Sequence, residues 1–411
     1  MRLTWQWGQS QVTMVKTSAY RWIILILFML PAAMSQMLWL NFAPLLTAMQ
    51  QKYKVDELTS NLLIMVFPLV YVLVSIPAGF LTDRRGYRYA ITLGSVIMSV
   101  FAALRIYNGP FWFVVACQTG IAIGQPFIMN AISKLVADWF EPEHNALATG
   151  LGTLGMFIGM ALGLGLAVPV TQAFGFSGSM LAYAIMSVAS TVLFVLFARE
   201  NRGLRDSATA EMARDLKLLM KSRNLVRLFA IAFLALGYFN GFTSWLEQIL
   251  APNGVSAESA GNAGASLIVG GILGAAIIPA ISDAAKRRKP FLVACCILAG
   301  ALTWPLSRSG DGIQLYAMSS LLGFFFLPGY ALLLSATEEF AGKDKAGSAT
   351  GLLMLFGNFG GVVVSILMDA VKAGPRDWRN AVYLLLGTIG LSLLLALITG
   401  ESFHGRSSQH S

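Results

Sequence analysis

Glu247 is the side chain with the most chemistry to offer. It sits in the stretch FTSWLEQIL (242–250), inside a run that is otherwise apolar. A carboxylate placed in hydrocarbon is costly, so such residues face a cavity, a partner or water. Two residues earlier is Trp245, and an earlier run, LWLNF (38–42), carries Trp39 in a matching position. Two indole faces plus one carboxylate make a recipe for an organic cation, because the rings attract the cation and the carboxylate balances its charge. Two other roles stay open for Glu247: a proton site, since a desolvated carboxyl holds its proton more tightly, and a solvated residue at the mouth of a cavity. The remaining polar residues within apolar runs are few. Asn41, Gln118, Gln125, Asn130, Asn240, Gln248, Tyr330 and Asn358 are the candidate substrate contacts among them. For Gln118, Gln125 and Asn130 the alternative is hydrogen-bonded glue between helices. Trp39 has an alternative as an interfacial belt residue.

Catalytic chemistry is poorly supplied. GLGTLG (150–155) has the spacing of a dinucleotide loop, but no strand precedes it and it lies in an apolar run, where small residues serve helix packing. No phosphate-binding Gly-Lys-Ser/Thr loop occurs, and His144, His404 and His410 form no ligand cluster. Cys117, Cys295 and Cys296 lie in apolar runs with no metal spacing and no disulfide framework. The sequence therefore predicts no enzyme, no cofactor and no metal.

The elements that position these residues follow from composition. Apolar residues make up 56% of the 411 and charged residues 12%, about half the usual share for a soluble chain. A helix needs roughly 20 apolar residues to cross a bilayer. Twelve such spans are predicted, at 21–49, 58–82, 89–107, 111–139, 146–170, 177–198, 226–250, 260–282, 290–307, 313–336, 346–371 and 380–399. The start of the chain shows no cleavable signal, and Met14 is a second candidate start. The formal charge of +9 is a topology signal. With the N-terminus in the cytoplasm, all of the 29 Lys and Arg except Lys52, Lys54, Arg105, Arg308, Lys372, Arg376 and Arg379 fall on the cytoplasmic side. The positive charge thus predicts N-in, C-in rather than nucleic-acid binding.

The two halves repeat. GFLTDRRGYRYAITL (79–93) parallels PAISDAAKRRKPFLV (279–293), which sets Asp83 against Asp283; ALATGLGTLGMFIG (146–159) parallels GSATGLLMLFGNFG (347–360). Such duplication builds two six-helix bundles with a binding site between them near the bilayer midplane. The predicted organisation is a tail 1–20, a bundle 21–198, a charged cytoplasmic linker 199–225, a second bundle 226–399 and a tail 400–411. Met212, Leu216, Leu219 and Met220 recur at helical spacing, which suits an amphipathic or solvated helix in the linker.

These motifs resemble the major facilitator superfamily, whose signature loop between spans two and three is matched by GFLTDRRGYR. The resemblance implies an all-α membrane fold that works by alternating access. It also implies a gating latch made of Gly79, Asp83, Arg84, Arg85, Gly86 and Arg88, with Asp283 as the second-half counterpart. Lys134 and Asp138, four apart on one helix, are read as a further structural or gating ion pair. A narrower resemblance rests on GQPFIMNAISKLVADWF (124–140), ATGLGTLG (148–155), GYFNGFTSWLEQIL (237–250) and SATGLLMLFGNFGG (348–361). These are similar to the branch containing the feline leukaemia virus subgroup C receptors, which carry choline and ethanolamine and have been linked to haem. That branch uses a span-one Trp, matched by Trp39, and glutamines in spans five and eleven. Phe157 and Asn358 stand at the glutamine positions here. Gln118 stands where many proton-coupled members carry Arg, which argues against drug/proton antiport.

The expected function is therefore a monomeric transporter, in a bacterial inner membrane, for a small polar or amphipathic metabolite, with an organic cation as the favoured class and a proton or cation as a candidate coupling ion. The alternative substrates are a siderophore, metal chelate or haem. A non-transporting receptor on the same scaffold is the alternative of another class, and the sequence shows no large signalling domain for it.

Overall fold

The computed structural model describes residues 19–141, 144–201, 218–342, 345–374 and 377–403. These are almost wholly helical. The first half holds α1 (Tyr20–Leu40), a 3₁₀ turn (Ala43–Leu45), α2 (Leu46–Tyr53), α3 (Glu57–Arg85), α4 (Tyr87–Leu104), α5 (Phe111–Met129), α6 (Ala131–Trp139) and α7 (Asn145–Phe197). The second half holds α8 (Arg223–Leu250), a 3₁₀ turn (Ala251–Asn253), α9 (Ala257–Ala285), α10 (Lys289–Ser307), α11 (Ile313–Ala341), α12 (Ala346–Val371) and α13 (Arg379–Ile398).

Eleven helical stretches are long and apolar enough to cross a membrane among the described residues. One of them, α7, has 53 residues, and a helix of that length spans about 80 Å against about 30 Å of hydrocarbon. It breaks at Gly175, where φ is 68° and ψ is 174°. Only glycine adopts this conformation without strain, and it divides the stretch where the sequence reading separates 146–170 from 177–198. Large apolar side chains point outward along the helices; Leu73, Trp112, Ile185 and Leu394 are among many that are exposed. Such an apolar surface belongs in lipid, not in water.

The sequence repeat is a structural repeat. Asp56 caps α3 by accepting from the Thr59 N–H at 2.6 Å, and Ser256 caps α9 by accepting from the Ser259 N–H at 3.1 Å. A Pro-containing 3₁₀ turn precedes each cap, with the short helix α2 intervening in the first half alone. The α1–α7 contact of the first half corresponds to the α8–α12 contact of the second. At each, a glycine lets two backbones touch: a side chain on Gly159 would run into the Ala33 backbone, and one on Gly360 into the Phe233 backbone. The halves meet along two corresponding seams, α3 against α12 and α7 against α9.

Most of the linker helix anticipated from Met212, Leu216, Leu219 and Met220 lies outside the described residues. Leu219 is buried in the second-half core and Met220 is exposed.

Candidate functional site

Inter-bundle contacts are concentrated at one end of the molecule. There Lys372, just past α12, forms an ion pair with Glu57 at the start of α3 and another with Asp369, 2.5 Å away. Burial pulls the Lys372 ammonium down, but its two carboxylates more than reverse this and hold it above its ordinary value. Close by, Glu247 near the end of α8 is buried, with Thr47 of α2, from the other half, as its polar neighbour. The second carboxylate oxygen, Oε2, has no partner. The same end of α7 packs on α9, where a side chain on Gly261 would meet the Leu164 carbonyl. Glu247 is thus part of a seal between the bundles.

At the opposite, basic end, the described hydrogen bonds and ion pairs stay within each half. In the first half the backbone N–H of Arg88 donates to Glu200 at 3.0 Å, and its guanidinium donates to the Val195 carbonyl at 3.0 Å. Gly86 has φ 91°, and a side chain there would collide with the Glu200 carboxylate. Burial is the main reason the Glu200 carboxyl lies above its ordinary value. In the second half Glu401 plays the matching part, accepting from the N–H groups of Arg288 at 2.7 Å and Lys289 at 3.2 Å. Arg288 also pairs with Asp283 and, at 3.1 Å, with Glu339. Two carboxylates that sequence reasoning missed, Glu200 and Glu401, thus bind the two corresponding loops. Arg84 and Arg85 are exposed, and the Arg85 guanidinium lies 5.0 Å above the Tyr89 ring. Gly79 is half-buried on α3. Lys134 and Asp138, the expected ion pair, both line a cavity of about 340 Å³ with Arg85, Arg88 and Glu200. Their helical spacing places both side chains on one face, which is shared with Glu200 and Asn201, and the Asn201 side-chain amide donates to the Asp138 carbonyl at 2.6 Å.

Between the two ends lies a polar band. The Tyr71 hydroxyl of α3 donates to Asn130 Oδ1 at 2.9 Å and reaches the Met354 sulfur of α12, across the seam, at 3.7 Å. The Asn130 amide donates to the Ser75 carbonyl at 2.9 Å. Tyr330 of α11 is an electrostatic neighbour of Tyr71 from the other half. Asn358 turns its amide to the Met354 carbonyl of its own helix at 2.9 Å. Asn130, Tyr330 and Asn358 are thus drawn toward one region, and Tyr71 joins them. No sequence signal marked Tyr71, since tyrosines are common in spans and one sequence does not show which way a ring faces.

Trp39 donates to the Ile64 carbonyl at 3.2 Å and stacks on Phe67 at 6.2 Å. Neither side-chain polar atom of Asn41 has a hydrogen-bond partner, and the same holds for Asn61 and Gln248, all three buried. Gln125 is buried on α5, and the Asn240 amide donates to its own helix at Leu236 while its oxygen has no partner. Gln118 donates to the Leu38 carbonyl at 2.9 Å and accepts from Arg105 at 2.5 Å. Trp245 is fully buried within its own half, bonded to the Ser365 carbonyl at 3.2 Å and packed 4.6 Å from Trp378. In this structure Trp245 therefore faces its own bundle, while Glu247, two residues on, faces the other.

Two repeated helical bundles with polar seams and a lipid-facing apolar coat define a membrane transporter fold, and comparison with known proteins agrees. The profile of the Major Facilitator Superfamily matches residues 25–365 and 253–406. The chain belongs to that superfamily and is an integral membrane protein of a small-molecule transporter family. A choline/ethanolamine transporter of Felis catus, FLVCR1, is 25% identical over 93% of this chain and 73% of its own length. An uncharacterized MFS-type transporter of Caenorhabditis elegans is 26% identical over 90% of this chain and 68% of its own length. An uncharacterized protein of Archaeoglobus fulgidus is 33% identical over 53% of this chain and 98% of its own length. Among solved structures, a bacterial homolog of the human lysosomal transporter Spinster superposes with a TM-score of 0.70 at 13% identity, covering 93% of this chain and 96% of that one.

Proposed function

We propose that this chain carries a small organic cation of the choline or ethanolamine class across a membrane by alternating access. The carrying observation is Glu247: a buried carboxylate, one oxygen unpartnered, lying on the seam against Thr47 of the other bundle. A rocking motion that parts the bundles at this end exposes that carboxylate to the opening, where it attracts a cation. Tyr71, Tyr330, Trp39 and the amides of Asn130 and Asn358 then offer ring faces and dipoles along the path inward. The names of the relatives support the same substrate class. On this reading the chain crosses twelve times, the break at Gly175 included, as bundles 21–198 and 226–399 joined by 199–225. On the same reading the basic end is cytoplasmic, and the end held by Glu57, Lys372 and Glu247 is the outer gate.

Binding to the purified protein tests the reading. Choline and its neutral isostere 3,3-dimethylbutan-1-ol are titrated against the wild type and Glu247→Gln. Choline binds the wild type more tightly, and the variant loses about tenfold in choline affinity, equivalent to about 1.4 kcal/mol. Equal affinity for the two ligands, or an unchanged choline affinity in the variant, sinks the cation reading.

A further inference from the structure

Arg105 follows the last residue of α4 and is fully buried, which is unusual for a guanidinium. Its Nη1 donates to Gln118 Oε1 at 2.5 Å, and its guanidinium carbon lies 5.1 Å from the centre of the Phe42 ring. Its other two donors, Nε and Nη2, have no hydrogen-bond partner. These two form one edge of the planar guanidinium, the edge that takes an anion by two parallel bonds. No described carboxylate pairs with Arg105; its electrostatic neighbours are the Tyr183 hydroxyl and the Cys117 thiol, both neutral in their ordinary forms. The Tyr183 hydroxyl is itself buried and unpartnered. A buried positive charge is tolerated when an opposite charge and hydrogen bonds compensate it.

We infer that Arg105 and Tyr183 bind a small monovalent anion of the halide class inside the first bundle, between α4, α5 and the second segment of α7. A spherical ion of one charge neutralises the guanidinium, takes both free donors of its edge and accepts the phenol O–H. It needs no further donors from the apolar side chains around it. Through Gln118, which bonds the Leu38 carbonyl at 2.9 Å, the filled site fixes the outer part of α1 next to Trp39.

The test is the thermal stability of the full chain in nanodiscs, read in sodium chloride, sodium bromide and sodium gluconate at equal ionic strength, together with direct binding of radiolabelled chloride. Chloride and bromide raise Tm by a few degrees in a saturable way, and gluconate does not. Tyr183→Phe keeps the fold and raises the half-saturating chloride concentration about tenfold, the effect of one lost charge-assisted hydrogen bond. Arg105→Gln abolishes the saturable response; should it fail to fold, Tyr183→Phe and chloride binding to the wild type decide the matter alone. A Tm that follows only total salt, with no saturable chloride binding to the wild type, overturns the inference and leaves Arg105 hydrated by water.

Discussion

At the scale of single residues, the two tryptophans that look equivalent in sequence separate in space. Trp245 is buried against Trp378 and its indole N–H is spent on Ser365, so its main effect is on stability. Trp245→Ala is expected to cost about 3–5 kcal/mol, as for a large aromatic removed from a packed site; chemical denaturation in detergent measures it. Trp245→Phe, which keeps most of the packing, leaves choline affinity within about twofold. Trp39, by contrast, packs on α3, a helix that itself lies on the seam between the halves, and on the cation reading Trp39→Ala is expected to weaken choline binding about tenfold or more, in line with a lost cation–π contact. Glu247 was legible because a carboxylate stands out in an apolar run. Arg105 was not, because a charge beside Tyr107, Asn108 and Gly109 reads as part of a loop, and only the fold shows the guanidinium turning inward. Glu200 was hidden in the same way within a charged stretch, although its offset from Glu401 matches the repeat of 146–159 on 347–360.

At the scale of helices, the seams hold the two halves together. The α3–α12 seam ends in the Glu57–Lys372–Asp369 cluster, whose side chains are each about one-fifth exposed, so its members are partly shielded from water. Lys372→Met is expected to shift the bundles toward opening at this end, read as faster labelling of a cysteine placed at Asn61. Because the two carboxylates raise the Lys372 ammonium above its ordinary 10.5, the contribution of this cluster is fully present below pH 10.5 and is lost as pH climbs above it. The labelling rate of the wild type should therefore rise above pH 10.5 more than that of Lys372→Met. The α1–α7 contact makes a separate prediction: Gly159→Val forces the helix backbones apart and costs about 1–3 kcal/mol, measurable as a lower Tm, and Gly360→Val does the same on α8–α12. These glycine contacts were readable as repeated small-residue stretches. The seal was not, because Glu57 and Lys372 lie in separate halves and appear in sequence as ordinary interfacial charges.

At the scale of the molecule, the duplicated pattern of spans was enough to fix an all-helical transporter fold with two related halves, since length, apolarity and the repeats at Asp83 and Asp283 all bear on it. What a single sequence lacks is which polar side chains cross between the bundles. Those follow from packing at Tyr71–Met354, Thr47–Glu247 and Glu57–Lys372, each a pairing of distant residues. The central claim is that these contacts part and reform as a cation passes. It is tested most directly by uptake of radiolabelled choline into proteoliposomes carrying Glu57→Cys with Lys372→Cys, in a background where Cys117, Cys295 and Cys296 are replaced by Ser or Ala. The account predicts that a short bis-methanethiosulfonate cross-linker, which ties the two cysteines together at this end, stops uptake, and that reduction restores it to the level of the uncross-linked protein. Uptake that continues at the same rate with the cross-link formed, or a wild-type protein that carries no choline at all, contradicts it.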